Sequence, residues 1–359
     1  MMMKRGYLIL PSLLFQCLVL MGQENPDQFP EPGGREENYL MRVTARVVDE
    51  KGVPVAGASI RIGIHNVNDF RDQYNDFLGK TDEQGRFSAE AVGRPLAKIE
   101  VNQEGYYPSR KTVTCYEGNE EQIRKAGRYS PWNPTIEVMT KKIGKPAPMI
   151  VRLAKGGSKS RMKPAAEQIG TELSWDLVEG DWVAPNGKGK VADFFVKFES
   201  GYVDQYNRSA KVRLEFGNND DGCIPIKQLK GEESLLEFPR LAPEKGYIVR
   251  ELEYSSEYKE VKDEVGYKER SFTKLPNPPP KGYMVRLRTK RGENDNIVSA
   301  IYCKITSPFE LDDVLFQGRR RLFLNFDYYL NPTPNDRNLE YDQRNNLAPE
   351  ADRGLTWPP

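Results

Sequence analysis

The 359 residues contain a single histidine, His65, and this limits the kinds of catalytic site that the protein can form. A Ser-His-Asp or Cys-His triad would have to use this residue, and a metal site built on several histidines is excluded. His65 stands at the end of an alternating strand, where a packing or surface role is far more common than catalysis. The run Gly187-Lys-Gly-Lys190 lacks the spacing and the Ser/Thr of a phosphate-binding loop. We therefore expect no metal and no cofactor, and we expect that the protein is not an enzyme.

Carboxylates are the remaining catalytic option. A glycosidase needs only two acids about 5–10 Å apart, but with 52 Asp and Glu residues the sequence nominates no pair. Asn218-Asn-Asp-Asp-Gly222 is similar to half of a calcium loop, but it lacks the alternating spacing and the distal Glu. A hairpin turn is predicted there instead. A secreted carboxylate-dependent hydrolase stays as the second alternative function.

Aromatic side chains are better candidates for binding, since exposed rings stack on sugars and on peptide side chains. Core packing is the more frequent fate of a Trp in a β-sandwich. We predict that ligand is bound by five rings near loops: Trp175, Trp182, Tyr202, Trp132 and Tyr129. Burial of both Trp175 and Trp182 would remove the reason for a lectin-like function.

The N-terminus predicts export. Lys4 and Arg5 precede an apolar run from residue 7 to residue 21, which is too short for a comfortable membrane span. We predict a signal peptide over 1–22 and a disordered segment over 23–38 that is rich in Pro, Glu and Gly. The mature protein would then be periplasmic or extracellular, with no membrane span.

Three cysteines follow the predicted signal: Cys115, Cys223 and Cys303. Their odd number allows at most one intramolecular disulfide. Buried free thiols are the favoured interpretation, and a Cys223–Cys303 bridge is the alternative. Lys and Arg number 53 against 52 acids, so no net charge favours nucleic acid.

The elements that must position these residues are predicted to be β-strands. Met41, Val43, Ala45 and Val47 alternate with polar residues, as in a half-buried strand. Similar alternation recurs up to Leu330, and 30 Gly with 26 Pro supply many turns. It predicts that Phe194, Val196 and Phe198 face a core, as do Val212, Leu214 and Phe216 on the next strand. It also predicts that Arg286 and Arg288 point to water and that Leu322–Leu330 is a single strand. We expect an all-β protein with two sandwiches, the first of about seven strands.

Roughly the first third of the predicted mature chain resembles a known family. The motif is filled by Val47, Asp49, Gly52, Pro54, Val55, Gly57, Ala58 and Ile60, by Thr81, Asp82, Gly85 and Phe87, and by Gly105 and Tyr106. This pattern is similar to the carboxypeptidase regulatory-like domain family. The resemblance implies a transthyretin-like, immunoglobulin-like β-sandwich that is an accessory module of secreted and envelope proteins, without an active site of its own. The insertion His65–Leu78 departs from the family pattern.

The predicted organisation follows from these segments. The first sandwich covers 39–154, a Gly/Ser-rich basic linker covers 155–169, and a second sandwich covers 170–347, followed by a tail over 348–359. A jelly-roll-like topology is considered for the second sandwich. The segment Glu251–Lys274 fits a surface helix or an extended hairpin equally well. The second half resembles uncharacterised secreted bacterial proteins that pair it with the regulatory-like domain.

These observations favour an exported, non-enzymatic binding or structural protein of the bacterial cell envelope. The first alternative is a lectin-like carbohydrate-binding protein. A cell-envelope polysaccharide or protein is the expected partner, and nucleic acid is not expected.

Overall fold

The computed structural model describes residues 38–68, 71–117, 119–153, 161–162, 168–204, 206–231, 233–262, 268–316 and 319–350. The predicted signal peptide and the predicted disordered segment up to residue 37 lie outside these ranges, as do residues 351–359 of the predicted tail. The described residues belong to one compact unit, Asn38–Pro359. They form strands almost throughout, which confirms the all-β prediction.

The first half forms a seven-stranded sandwich. Its elements are β1 (Tyr39–Val48), β2 (Ser59–Asn68), β3 (Arg71–Lys80), β4 (Arg86–Gly93), β5 (Leu96–Asn102), β6 (Ser109–Thr114), α1 (Glu120–Ala126) and β7 (Thr135–Met139). One sheet has the order β4-β1-β7 and the other β3-β2-β5-β6. The alternating apolar residues of β1, β2 and β5 meet in a single buried core. The predicted insertion from His65 to Leu78 is the distal part of the β2–β3 hairpin.

Two Asp-x-x-Gly turns shape this sandwich in the same way. The Oδ1 atom of Asp49 accepts the N–H groups of Lys51 and Val53, at 2.8 and 2.9 Å. The Oδ1 atom of Asp82 accepts those of Gln84 and Arg86, at 2.9 and 2.7 Å. Each turn ends on a glycine in the left-handed region, with φ of +80° at Gly52 and +72° at Gly85, a conformation that costs other residues free energy.

The two glycines differ in their surroundings, and this difference is testable. A Cβ at Gly85 would overlap the carbonyl oxygen of Val47, whereas a Cβ at Gly52 would meet nothing within 4 Å. Gly52→Ala should therefore cost only the conformational term of about 1–3 kcal/mol. Gly85→Ala should cost clearly more, as measured by thermal unfolding of the two variants. Equal losses would contradict the assigned packing of the second turn against β1.

The second half has fifteen strands among the described residues. They are β8 (Ala147–Arg152), β9 (Arg161–Met162), β10 (Glu172–Asp176), β11 (Asp181–Trp182), β12 (Phe194–Asp204), β13 (Asn207–Phe216), β14 (Gly222–Ile226), β15 (Glu251–Lys262), β16 (Lys268–Leu275), β17 (Gly282–Arg291), β18 (Ile297–Ile305), β19 (Glu310–Phe316), β20 (Arg319–Asn325), β21 (Tyr328–Asn331) and β22 (Tyr341–Asn346). They form sheets of order β11-β10-β12-β13-β15-β16, β14-β17-β18-β21-β8-β22 and β19-β20-β9.

These three sheets enclose one large core, to which β12, β13, β17 and β18 contribute their alternating apolar residues. In the first sheet β12, β13, β15 and β16 lie side by side in chain order, but β14, which lies between β13 and β15 in the chain, belongs to the second sheet. In the second sheet β14 is followed by β17, and β18 by β21. The chain therefore passes repeatedly between sheets, and the jelly-roll-like topology stays a prediction. In the predicted segment 251–274 the described residues form β15 and β16, which pair antiparallel as the two arms of a hairpin, so the helix alternative is wrong.

Three predicted boundaries differ from the structure. The strand β8, which the sequence assigned to the end of the first sandwich, pairs with β21 and β22 of the second. The predicted strand Leu322–Leu330 is divided between β20 and β21, which belong to different sheets. Within the predicted linker, β9 pairs with β20, and 154–160 and 163–167 lie outside the described residues.

The second sheet of this half is buried on both faces. Its outer face carries a separate apolar cluster that includes Met149, Phe238, Tyr302 and Tyr341. The prediction that Arg286 and Arg288 point to water is therefore wrong. Arg286 is almost fully buried, and its guanidinium lies 4.8 Å from the ring centroid of Tyr247.

A buried carboxylate joins the two halves. Oε1 of Glu340 accepts the Tyr107 hydroxyl at 3.0 Å and the N–H of Gly144 at 2.7 Å. Oε2 accepts the N–H of Lys145 at 3.1 Å and lies 3.5 Å from Arg240. These groups come from both halves of the chain. Glu340 therefore links the two halves, and both of its carboxylate oxygens accept hydrogen bonds.

Candidate functional site

The two tryptophans predicted to bind ligand are buried. Trp175 on β10 and Trp182 on β11 are 3% and 6% exposed, and their rings pack edge to face with centroids 4.8 Å apart. They face the large core because their short strands are folded against it. The prediction of a Trp175/Trp182 platform is wrong, and the reason for a lectin-like site at these rings is removed with it.

The two predicted rings of the first sandwich, Tyr129 and Trp132, also contact neighbouring side chains. Tyr129 is buried in the core and packs edge to face on Tyr39, with centroids 5.6 Å apart. Trp132 is half-buried, and the Arg128 guanidinium lies 5.0 Å from its ring centroid. Of the five predicted rings only Tyr202, which is 49% exposed, lies on an open surface.

Tyr202 belongs to a row of side chains that crosses four strands. It pairs with Arg208, Arg208 pairs with Tyr258, and Tyr258 pairs with Phe272. Directly opposed residues share one face of a sheet, so these four residues form one line, which we call the aromatic row. Neighbouring strands lie about 4.8 Å apart, and the row therefore spans roughly 14 Å.

The aromatic row is uncovered because its strands extend beyond the buried core. Val212 and Tyr254 oppose one another on the same face and are buried. Four residues further out on each strand, Arg208 and Tyr258 are only half-buried. At the edge of the sheet Phe272 is 57% exposed. The inner face of the sheet thus becomes an open surface beyond the point where the opposite sheets end.

A groove lies over the part of the aromatic row formed by Arg208, Tyr258 and Phe272, and we call it the hairpin groove. It encloses about 160 Å³ and is lined by Arg208, Ser256, Tyr258, Phe272, Lys274, Leu311 and Asp312. Small-molecule sites usually enclose 300–1,000 Å³. The hairpin groove is therefore suited to an extended ligand that lies across it and not to an enclosed small molecule.

Rings and cations alternate inside the groove. The centroids of Tyr258 and Phe272 lie 6.1 Å apart. The Arg208 guanidinium lies 5.4 Å from the Tyr258 centroid, and Lys274 Nζ lies 5.4 Å from the Phe272 centroid. These cation–π contacts, each worth about 0.5–1 kcal/mol at an exposed site, keep both positive charges beside the rings. The carboxylate of Asp312 already accepts the side-chain N–H of Asn325 at 2.6 Å.

A second polar cluster, which the sequence did not indicate, holds two buried carboxylates. Asp193 accepts Arg288 Nε and Nη2, both at 2.9 Å, and Asp176 accepts Arg288 Nη2 at 2.7 Å. Asp176 also accepts the backbone N–H groups of Val178, Glu179, Lys190 and Val191. We call Asp176, Asp193 and Arg288 the buried clamp.

The pKa values of the two acids move in opposite directions. Burial acts to raise the pKa of Asp176, but the N–H groups around it and the Arg288 guanidinium outweigh burial and lower that pKa. Burial raises the pKa of Asp193 despite Arg288. A split pair is what acid–base catalysis requires, but here Arg288 and the backbone occupy the carboxylate oxygens. The clamp therefore fits a structural role.

Local backbone geometry explains how Arg288 reaches the clamp. The pairing of β17 with β18 shifts register after Leu287, and Arg288 adopts a φ of +53°. A β-bulge of this kind redirects a side chain. Arg152 is fully buried and donates hydrogen bonds to the carbonyl groups of Val178 and Glu179, at 3.0 and 2.8 Å. The N–H groups of the same two residues bind Asp176 of the buried clamp.

The remaining candidates are placed as follows. His65 is buried, with its ring centroid 5.1 Å from that of Tyr74. The segment 218–222 is not a hairpin turn, because β13 and β14 belong to different sheets. Its Asp220 pairs with Arg291 at 2.8 Å. Among the residues that the structure describes, no group of three or more His, Cys, Asp or Glu could hold a metal ion.

The three cysteines are buried and free, as the favoured interpretation predicted. Cys223 pairs with Val285, and Val285 pairs with Cys303. The two cysteines are therefore two strand spacings apart, roughly 10 Å, which is beyond the Cα separation of a disulfide. Burial raises the pKa of Cys115 to about 11 and that of Cys223 to about 12.

The fold and the two sites define this chain as an all-β protein with an open groove on one extended sheet. No family model matches the sequence, and no curated protein matches it. No helix in the described part of the chain is long and apolar enough to cross a membrane.

Some solved structures resemble parts of the chain. The 3-chlorocatechol 1,2-dioxygenase of Rhodococcus opacus 1CP is 16% identical over 31% of this chain, with a TM-score of 0.23. The catechol 1,2-dioxygenase of Acinetobacter sp. ADP1 is 11% identical over 31%, with a TM-score of 0.22. This chain spans 64% and 55% of the two enzymes.

The major pilin subunit of Bacillus cereus is 10% identical over 79% of this chain and 95% of the pilin, with a TM-score of 0.22. Likenesses with TM-scores this low enter no argument about function.

Proposed function

We propose that this chain is an exported, non-enzymatic binding protein of the bacterial cell envelope and that the hairpin groove is its binding surface. The observation that carries the proposal is the aromatic row. The row leaves Tyr202 and Phe272 exposed and Tyr258 half-buried on one sheet face. Covering such rings with ligand releases water from apolar surface, which favours binding.

Several features support a protein without catalysis. The acids of the buried clamp are occupied by Arg288 and by backbone N–H groups. The Cys115 and Cys223 thiols have raised pKa values, and a protonated thiol is a poor nucleophile. His65 is buried against Tyr74 in a strand of the first sandwich.

Export is supported by the N-terminal sequence, in which a basic start precedes an apolar run of signal length. The resemblance of the first half to the carboxypeptidase regulatory-like domain supports the same placement. In that proposal the first sandwich is an accessory module and the second sandwich carries the binding surface.

The test uses the full chain on an array of polysaccharides, peptidoglycan fragments and peptides. We expect at least one ligand class to bind, and Phe272→Ala to weaken that binding by about tenfold, which corresponds to roughly 1.4 kcal/mol for one lost ring contact. Thr273→Ala is the matched control, because Thr273 is the next residue of β16 and points to the opposite face.

Silence across the array, or equal binding by the Phe272→Ala and Thr273→Ala variants, would overturn the proposed function. Circular dichroism of both variants confirms that the sheet is retained.

A further inference from the structure

We propose that the hairpin groove binds an acidic polysaccharide, a chain of sugar rings that carry carboxylates. This inference rests on the proposed function and names its ligand class. Three features favour this ligand class: the direction of the aromatic row, the charges beside the rings and the hydrogen-bonding groups that line the groove.

The direction of the row favours a saccharide over a peptide. Directly opposed residues are aligned across the strands, so a ligand on the row lies roughly perpendicular to them. A peptide recognised by a sheet usually adds along an edge strand and pairs with its backbone. A ligand in the hairpin groove instead crosses β13, β15 and β16, and on the face of a sheet it meets side chains. The apolar faces of successive sugar rings provide surfaces that can stack on Tyr258 and Phe272.

The charges favour carboxylates on the ligand. Arg208 and Lys274 each lie 5.4 Å from a ring centroid of the row, so a sugar stacked on that ring brings its substituents close to a cation. The guanidinium fork suits a carboxylate in two-point contact, and the ammonium group suits it as a point charge. Asp312 also lines the groove, so the carboxylates of the ligand are expected to contact Arg208 and Lys274 and to avoid Asp312.

Hydroxyl groups of a sugar also find partners in the groove. Ser256 lines the groove and lies on β15 between the residues that pair with Val212 and with Arg208. Its hydroxyl can both donate and accept a hydrogen bond. Asp312 also lines the groove, and a carboxylate accepts hydrogen bonds from hydroxyl groups. Rings, cations and hydroxyl partners together match a polyuronate better than a neutral glycan.

The test compares polygalacturonate with a neutral galactan of similar length, by calorimetry on the full chain. We expect polygalacturonate to bind at least tenfold more tightly, and its affinity to fall as salt rises, because exposed charges are screened within about 10 Å at 0.1 M ionic strength. Lys274→Gln should weaken polygalacturonate binding by about tenfold. Lys259→Gln is the matched control, since Lys259 pairs with Glu257 on the opposite face of β15.

The outcomes separate this inference from the proposed function. If the neutral galactan binds as tightly and Phe272→Ala weakens it, the groove binds ligand but the carboxylate inference is overturned. If polyglutamate binds and polygalacturonate does not, the occupant is an acidic peptide and the polysaccharide inference is overturned. If Lys274→Gln and Lys259→Gln bind polygalacturonate equally, the charge argument is wrong. Binding of nothing at the groove overturns both proposals.

Discussion

Replacing Arg288 with methionine is expected to lower the free energy of unfolding by about 3–5 kcal/mol, because it leaves two buried carboxylates without their cation. Asp176 and Asp193 are almost fully buried, so water cannot replace the lost guanidinium. Urea denaturation at neutral pH measures the loss.

The chain supplies a matched control. Arg213 on β13 pairs with Glu251 at 2.8 Å, but both side chains are about half exposed. Arg213→Met should therefore cost no more than about 1 kcal/mol. Adding Asp193→Asn to Arg288→Met should restore part of the stability, since it removes one buried charge. Equal stabilities of the Arg288→Met and Arg213→Met variants would show that the clamp is not a structural unit.

Replacing Lys304 with methionine is expected to stabilise the protein by about 1–4 kcal/mol at pH 7. Lys304 lies on β18 and is fully buried, with its Nζ 5.3 Å from the Tyr329 centroid. Burial lowers its pKa from 10.5 to about 7, although Glu340 acts in the opposite direction. Above pH 7 the unfolded chain holds more protons on Lys304 than the folded chain does. The contribution of Lys304 to stability therefore rises with pH from about 7 to 10.5 and is lost as pH falls to 7.

The stability gained by Lys304→Met should accordingly be largest at pH 7 and smaller at pH 9. Measuring both proteins at each pH removes the contributions of other titrating groups. Lys211→Met is the control, since Lys211 pairs with Glu253 at 2.7 Å at a partly exposed site, and its effect should stay constant over this range. A destabilised Lys304→Met variant, or a pH-independent difference, would contradict the assigned cost of burying this amine.

The strands and their inward faces could be predicted from the sequence because alternation is a local property. Phe194, Val196 and Phe198 were expected to face a core, and all three are buried. The same holds for Val212, Leu214 and Phe216 on the next strand. Alternation along a strand determines which of its residues share a face, and this does not depend on which strand pairs with it.

The pairing of distant segments could not be predicted in this way. The buried clamp joins Asp176 and Asp193 to Arg288, more than 90 residues later in the chain, and no local pattern marks that contact. The strand β8 looked like the end of the first sandwich because it follows β7 closely. Both faces of its sheet are covered, so the simple rule that charged residues alternate toward water failed at Arg286 and Arg288.

The proposed binding site could be predicted from the sequence only in part. Tyr202 was predicted to bind ligand and lies in the aromatic row, whereas Tyr258 and Phe272 were hidden in a segment that fitted helix and hairpin equally. As a helix, 251–274 would not have brought these two rings side by side. The register of the hairpin, Tyr258 opposite Phe272, is therefore the information that the sequence lacked.

The position of β8 sets an order of events during synthesis. Every strand of the first sandwich precedes β8, so that sandwich can close while the remainder of the chain is still on the ribosome. The place of β8 lies between β21 and β22, so its two edges stay unpaired until those later strands have been made. The second sandwich therefore depends on contacts between distant segments, which form slowly.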